Sequence, residues 1–198
     1  MDKRFKYKYR IESSRLKNYD YSKEGFYFIT ILTKNREHFF GEIINNKMVL
    51  SDLGKIAVEE WLISEKLRKN IYLDQWIVMP NHIHGIVIID YSDRENKHQF
   101  KKSDFSKTPN KSYTEKRLKI YNGENPDLSK ISPIPNSIST MIRFFKRQVK
   151  MRSKENNFLF DWQERFDDRI IRDEKSLFAI RTYIKNNVIN WKNEEDKF

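Results

Sequence analysis

The run Trp76-Ile77-Val78-Met79-Pro80-Asn81-His82-Ile83-His84-Gly85-Ile86-Val87-Ile88-Ile89 leaves the chain few ways to fold. It is mostly apolar and β-branched, a composition that suits the pleated surface of a strand. Met79-Pro80-Asn81 interrupts it with turn chemistry, so Tyr72 to Val78 and His82 to Ile89 are predicted as two paired strands. Alternate residues of a strand share a face. His82 and His84 therefore project side by side at the start of an inner strand, while Ile83 enters a core. Two imidazoles so placed can hold one divalent metal ion. Burying two titratable rings in an apolar strand costs stability unless they find partners. The competing reading is a pair of core histidines hydrogen-bonded to backbone carbonyls.

Charge narrows the partners. The chain carries 39 Lys and Arg against 28 Asp and Glu, a net charge of +11, which suits a polyanion such as nucleic acid. An acidic membrane surface fits less well, because no apolar stretch approaches transmembrane length. The basic, aromatic start from Met1 to Arg10 lacks the apolar segment of a signal peptide, so a cytoplasmic protein is expected. Cysteine is absent, which excludes disulfides, zinc-thiolate sites and cysteine nucleophiles. Any metal must be held by His, Asn, Gln, Asp or Glu. At 198 residues the expectation is one domain spanning 1–198.

Phe26 to Thr33 reads as a strand, and Gly41 to Leu50 as a short hairpin turning at Asn45-Asn46. A helix capped by Ser51 or Asp52 follows, with Leu53, Ile56, Ala57 and Trp61 at helical spacing. Residues 91–135 turn to Lys, Ser, Asn, Asp and Pro without a period, the composition of a flexible insertion. Asn136 or Ser137 caps a second helix that places Ile138, Met141, Ile142, Phe145 and Val149 on one face. Its other face carries Arg143, Lys146, Arg147 and Lys150, which are candidates for nucleic-acid phosphates or an ordinary solvated face. A short extended segment within 158–171 leads to a last helix capped by Asp173 and ending at Asn186 or Asn187. This order gives an α+β fold, a ferredoxin-like antiparallel sheet with helices packed on one face, plus a C-terminal helix.

Several motifs in order carry a resemblance. Tyr19-Asp20-Tyr21, Gly25 to Thr30, Thr33-Lys34-Asn35-Arg36, Trp76 to Gly85, Trp162-Gln163, Arg169-Ile170-Ile171-Arg172 and Tyr183-Ile184-Lys185-Asn186-Asn187 together resemble the REP-associated tyrosine transposases. These belong to the single-tyrosine HUH transposase family, named for His, hydrophobic, His. The resemblance covers residues 19–91 and 136–192. It implies a metal-dependent endonuclease and strand transferase that cleaves single-stranded DNA next to hairpins through a 5′-phosphotyrosine intermediate. By the same resemblance His82 and His84 match the metal-binding histidines, Tyr183 the nucleophile on the last helix, and Asn187 the third ligand, with Mg²⁺ or Mn²⁺ as cofactor. The implied partner is single-stranded or hairpin DNA, and the implied assembly a monomer or homodimer.

The residues agree with that chemistry. Tyr183 and Asn187 are four apart and share one helix face. A tyrosine hydroxyl is a weak nucleophile at neutral pH, so a divalent ion polarising the scissile phosphate supplies needed driving force. Each residue also has a plainer role: Tyr183 as packing with its hydroxyl at the surface, and Asn187 as a helix C-cap. Family members commonly have proline after the matched asparagine, where this chain has Val188, and many have tyrosine near Phe166. Glu164, Asp167 and Asp168 are alternative third ligands. Two other functions compete. A non-catalytic or domesticated hairpin DNA- or RNA-binding module leaves the histidines unexplained, and a histidine-triad hydrolase needs a further histidine where Ile86 stands.

Overall fold

The computed structural model describes residues 4–5, 8–9, 15–16, 19–92 and 137–195, with side chains for those between 15 and 191. Strands β1 (Arg4–Phe5) and β2 (Lys8–Tyr9) form a small antiparallel pair. The main body comprises β3 (Gly25–Leu32), a 3₁₀ turn (Lys34–Arg36), the hairpin β4 (Gly41–Ile44) and β5 (Lys47–Leu50), α1 (Asp52–Lys66), β6 (Ile71–Met79), β7 (His82–Ile89), α2 (Ile138–Glu155), β8 (Asp167–Ile171) and α3 (Glu174–Glu195). The four long strands make one antiparallel sheet ordered β6-β7-β3-β8. Read with α1 after β3 and α2 after β7, this is the ferredoxin-like arrangement expected from the sequence.

The local chemistry explains each boundary. Asn45 and Asn46 both adopt left-handed backbone (φ 50° and 57°), the requirement of a two-residue hairpin turn. Ser51 Oγ accepts from Gly54 N (3.0 Å) and donates to Phe39 O (2.7 Å), fixing where α1 begins. Ser137, not Asn136, caps α2 by accepting from Thr140 N. Helices α1 and α2 cover one face, where Tyr27, Ile29, Ile31, Ile83 and Val87 of the sheet meet Trp61, Met141, Phe145 and Val149. Gly85 belongs to this contact: a Cβ there would lie 2.7 Å from Trp61 Cζ2. Bare backbone at Gly85 thus lets the indole lie against β7.

Helix α3 takes the opposite face. Ile184 and Trp191 pack with Ile77, Met79, Ile86 and Ile171, and Leu177, Ile180 and Val188 border them. Arg181 Nε donates to the carboxylate of Asp74 (2.6 Å), a buried group at the irregular register between Leu73 and Trp76, which ties α3 to the sheet edge. Asp173 caps α3 as expected, accepting from Ser176 N (2.8 Å). The helix does not stop at Asn186 or Asn187. It continues to Glu195, because Val188 and Trp191 extend its apolar stripe and no proline or glycine breaks it. Asn187 is therefore interior to the helix, and the C-cap reading fails.

The flexible insertion expected at 91–135 lies outside the described residues from 93 onward. At its near end Tyr91 is held, its N donating to Glu24 (2.8 Å) and its hydroxyl to Ser22 O (2.9 Å). Among the described residues no helix is long and apolar enough to cross a membrane.

Candidate functional site

The Pro80-Asn81 turn makes His82 the first residue of β7, opposite Met79 on one side and Leu32 on the other, while His84 lies opposite Ile77 and Thr30. Both histidines are 7% exposed, and their ring centroids are 4.4 Å apart. One nitrogen of each ring is held by a neighbour. His82 Nδ1 donates to Asn81 Oδ1 (2.7 Å), and His84 Nδ1 shares a hydrogen bond with Thr30 Oγ1 (2.9 Å). Donation from Nδ1 leaves His82 Nε2 with a lone pair, and that buried atom has no hydrogen-bond partner.

Helix α3 brings three residues across this pair at successive turns. The Tyr183 hydroxyl lies 3.1 Å from His84 Nε2, and Phe28 packs against both rings. Asn187, one turn on, is fully buried beside His82, and neither amide atom makes a hydrogen bond of normal geometry. Trp191, a further turn on, packs against His82 (5.8 Å between centroids) and His38 (5.6 Å). The helix thus runs opposite to β7, with its tyrosine over one histidine and its tryptophan over the other.

Burial sets the charge of the pair. It pushes His84 from 6.5 down to about 4, partly opposed by the Ile29 backbone. His82 is held well below 6.5, first by burial and then by neighbouring His84, with Arg36 acting in the same direction and Asn187 opposing. Both rings are neutral near pH 7, the form in which imidazole binds a metal.

The site opens into a cleft of about 970 Å³ whose walls include Phe28, Thr30, Arg36, His82, His84, Asp167, Arg169 and Tyr183. A second hollow of about 780 Å³ adjoins it, lined by Lys34, Arg147, Trp162 and Glu164 among others, and Asn35 and Arg36 line both. Asn35 and Arg36 are consecutive left-handed residues (φ 54° and 57°), a conformation Asn tolerates and Arg does not favour. Left-handed backbone costs a side-chain-bearing residue about 1–2 kcal/mol. Hydrogen bonds hold the turn: Thr33 N donates to Asn81 O (2.9 Å), the Thr33 hydroxyl donates to Glu37 O (2.7 Å) with Asn81 O at 3.0 Å, and Lys34 N donates to Asp161 O (2.9 Å).

Among the described residues no three His, Cys, Asp or Glu side chains converge to hold a metal. The alternative acidic ligands are distributed differently. Asp168 is buried and paired with Arg15 (2.8 and 2.5 Å), Glu164 lines the second hollow, and only Asp167 faces the cleft. Of the basic residues on α2, Lys146 Nζ donates to Gln163 O (2.5 Å) and Glu164 O (3.2 Å), and Lys150 Nζ to Phe160 O and toward Asp161 (3.3 Å). These two lysines fasten the segment before β8 to α2. Burial lowers the Lys146 pKa, with Asp161 and Glu164 opposing. Arg147 lines the second hollow and Arg143 is exposed outside it. Trp191, Thr30 and the partner role of Asn81 were not anticipated from sequence. Trp191 was signalled only by its spacing, four residues beyond Asn187 and eight beyond Tyr183.

Fold and site together define a ferredoxin-like sheet with a histidine pair beneath a tyrosine helix. The structure resembles that of a REP-associated tyrosine transposase bound to a REP hairpin, with a TM-score of 0.52 and 18% identity, covering 89% of this chain and 73% of that one. The likeness establishes a transposase-like fold. No family model matches the chain. It is 35% identical over 184 residues to an uncharacterized protein of Haemophilus influenzae, covering 92% of this chain and 91% of the relative. The chain belongs to the same family as that protein.

Proposed function

We propose that the protein is a metal-dependent single-stranded DNA endonuclease and strand transferase that acts next to hairpins, with Tyr183 as nucleophile and His82, His84 and Asn187 as metal ligands. The observation that carries this reading is the convergence of the Tyr183 hydroxyl, 3.1 Å from His84 Nε2, with the unsatisfied His82 Nε2 and Asn187 amide below it. Buried polar atoms without partners are uncommon, and a lone-pair imidazole nitrogen beside an amide oxygen, His82 Nε2 and Asn187 Oδ1, suits a cation. The amide oxygen suits Mg²⁺ or Mn²⁺, and the two imidazole nitrogens favour a transition metal, so of these two ions Mn²⁺ fits the donor set better. When bound, such an ion would polarise the scissile phosphate and favour ionisation of the attacking hydroxyl.

The chain's own residues supply the remainder. His84 Nε2 cannot both bond the Tyr183 hydroxyl and give its lone pair to a cation, so His84 would hold a cation only with the hydroxyl turned away from it. Tyr183 is 37% exposed and has room to turn. Its oxygen attacks phosphorus, the P–O3′ bond breaks, and the departing 3′ oxygen takes up a proton while the tyrosine proton goes to solvent. The 5′ phosphate stays on Tyr183 as a diester, which conserves the bond energy. A second 3′ hydroxyl can then attack it and rejoin strands. Asn81 and Thr30 fix the imidazole orientations through Nδ1, and Arg181 with Asp74 fixes the helix that carries the nucleophile.

The test is a denaturing gel of labelled single-stranded hairpin DNAs with Mg²⁺ or Mn²⁺. Wild type should give a covalent adduct that Tyr183→Phe and His82→Ala do not. Tight DNA binding without an adduct across a wide hairpin set points instead to a binding module.

A further inference from the structure

The Lys34–Arg36 turn is the strained element of this site, and the tyrosine chemistry leaves it unused. Consecutive left-handed residues, one of them an arginine, persist only where surrounding contacts impose them, and such backbone concentrates at functional positions. The contacts here are specific. Thr33 N bonds Asn81 O, the Thr33 hydroxyl closes the turn onto Glu37 O, and the Asn81 side chain orients His82. One residue therefore sets the position of the turn and the direction of a candidate ligand. On its other side Lys34 N bonds Asp161 O, at the second hollow. Arg36 consequently stands on the saddle between the two hollows, and its charge reaches His82. Arg169, the other arginine of the cleft, sits on edge strand β8, two strands from the histidines.

We propose that Arg36 is the phosphate-binding residue of the cleft, its guanidinium holding the phosphate that Tyr183 attacks while the strand continues over the turn into the second hollow. The inference rests on the nuclease reading above. A planar guanidinium matches two phosphate oxygens at once and disperses the negative charge that builds as the tyrosine oxygen adds. The left-handed turn presents that group beside the metal ligands without a flexible loop. Lys34 and Arg147 provide positive charge for the flanking phosphates.

The experiment measures binding of a short oligothymidylate to non-cleaving Tyr183→Phe protein as a function of salt, with and without Arg36→Asn, which keeps a residue tolerant of the left-handed turn. Lys55→Ala, an exposed lysine on α1, is the charge control. Losing one phosphate contact should weaken binding about tenfold and reduce the salt slope by about 0.7, the single-strand value, where the control changes neither. In the otherwise wild-type enzyme, Arg36→Asn should slow single-turnover adduct formation by about 100-fold, beyond its effect on binding, and Arg36→Lys should recover only part of it. Unchanged affinity and slope in Arg36→Asn overturn the proposal whatever the wild type does. A reduced slope with wild-type adduct rates shows that the phosphate held is not the one attacked. If wild type forms no adduct yet the slope falls, the nuclease reading fails and the phosphate contact stands.

Discussion

Replacing Asn187 by leucine should stabilise the metal-free protein and abolish its response to metal. Asn187 is fully buried in the middle of α3, and both amide atoms lack normal hydrogen bonds. A buried polar group left unsatisfied costs about 1–3 kcal/mol, and leucine is close enough in volume to occupy the same space. The amide still interacts with the His82 ring, which offsets part of that cost, so a gain of about 1 kcal/mol is expected, or about 2–4 °C in Tm for a chain of this size. In wild type, Mn²⁺ at a hundredfold excess over its Kd should add about 3 kcal/mol. Thermal unfolding followed by circular dichroism, with chelator and then with Mn²⁺, reads both effects. Lower stability of Asn187→Leu than of wild type in chelator, or a full Mn²⁺ shift in that variant, would contradict a metal site at Asn187.

Acid should destabilise the metal-free protein before its carboxylates titrate. His84 titrates near 4 when folded and near 6.5 when free, so between these values the unfolded chain binds the extra proton. Stability is then lost as pH falls from about 6.5 to 4, by up to about 3 kcal/mol for His84 alone, with His82 adding in the same direction, and urea unfolding across that range measures it. Gly85→Ala drives a methyl into Trp61 and the Trp76 Cβ at 3.3 Å, which should cost about 1–3 kcal/mol in the same assay. Arg181→Ala strands the buried Asp74 carboxylate. Because Arg181 is itself partly exposed, the expected loss is about 1–2 kcal/mol, and Arg181→Ala combined with Asp74→Ala should recover part of it.

The sheet was legible because its signals are local. The apolar, β-branched run through Trp76 to Ile89, the Pro80-Asn81 turn and the apolar stripe of α2 each determine an element without reference to the others. The end of α3 was not, because Asn186-Asn187 carries a C-cap signal that the sheet face overrides by burying Trp191 and packing against half-buried Val188. Trp191 and Thr30 could not be assigned to the site from sequence for a related reason. Their role comes from register, in which Thr30 faces His84 across two strands that are 54 residues apart in sequence. The basic face of α2 depends on tertiary contacts in another way. Lys146 and Lys150 look free in sequence but are spent on carbonyls before β8, and only the folded chain shows Arg36 as the cation set between the two hollows.

Peptide mapping by mass spectrometry of the covalent adduct formed by wild-type protein on a single-stranded hairpin DNA with Mn²⁺ identifies the nucleophile directly. A nucleotide 5′-phosphate is expected on the peptide containing Tyr183 and on no other. Modification of a different tyrosine, among the 10 in the chain, would contradict the placement of the nucleophile beside His84.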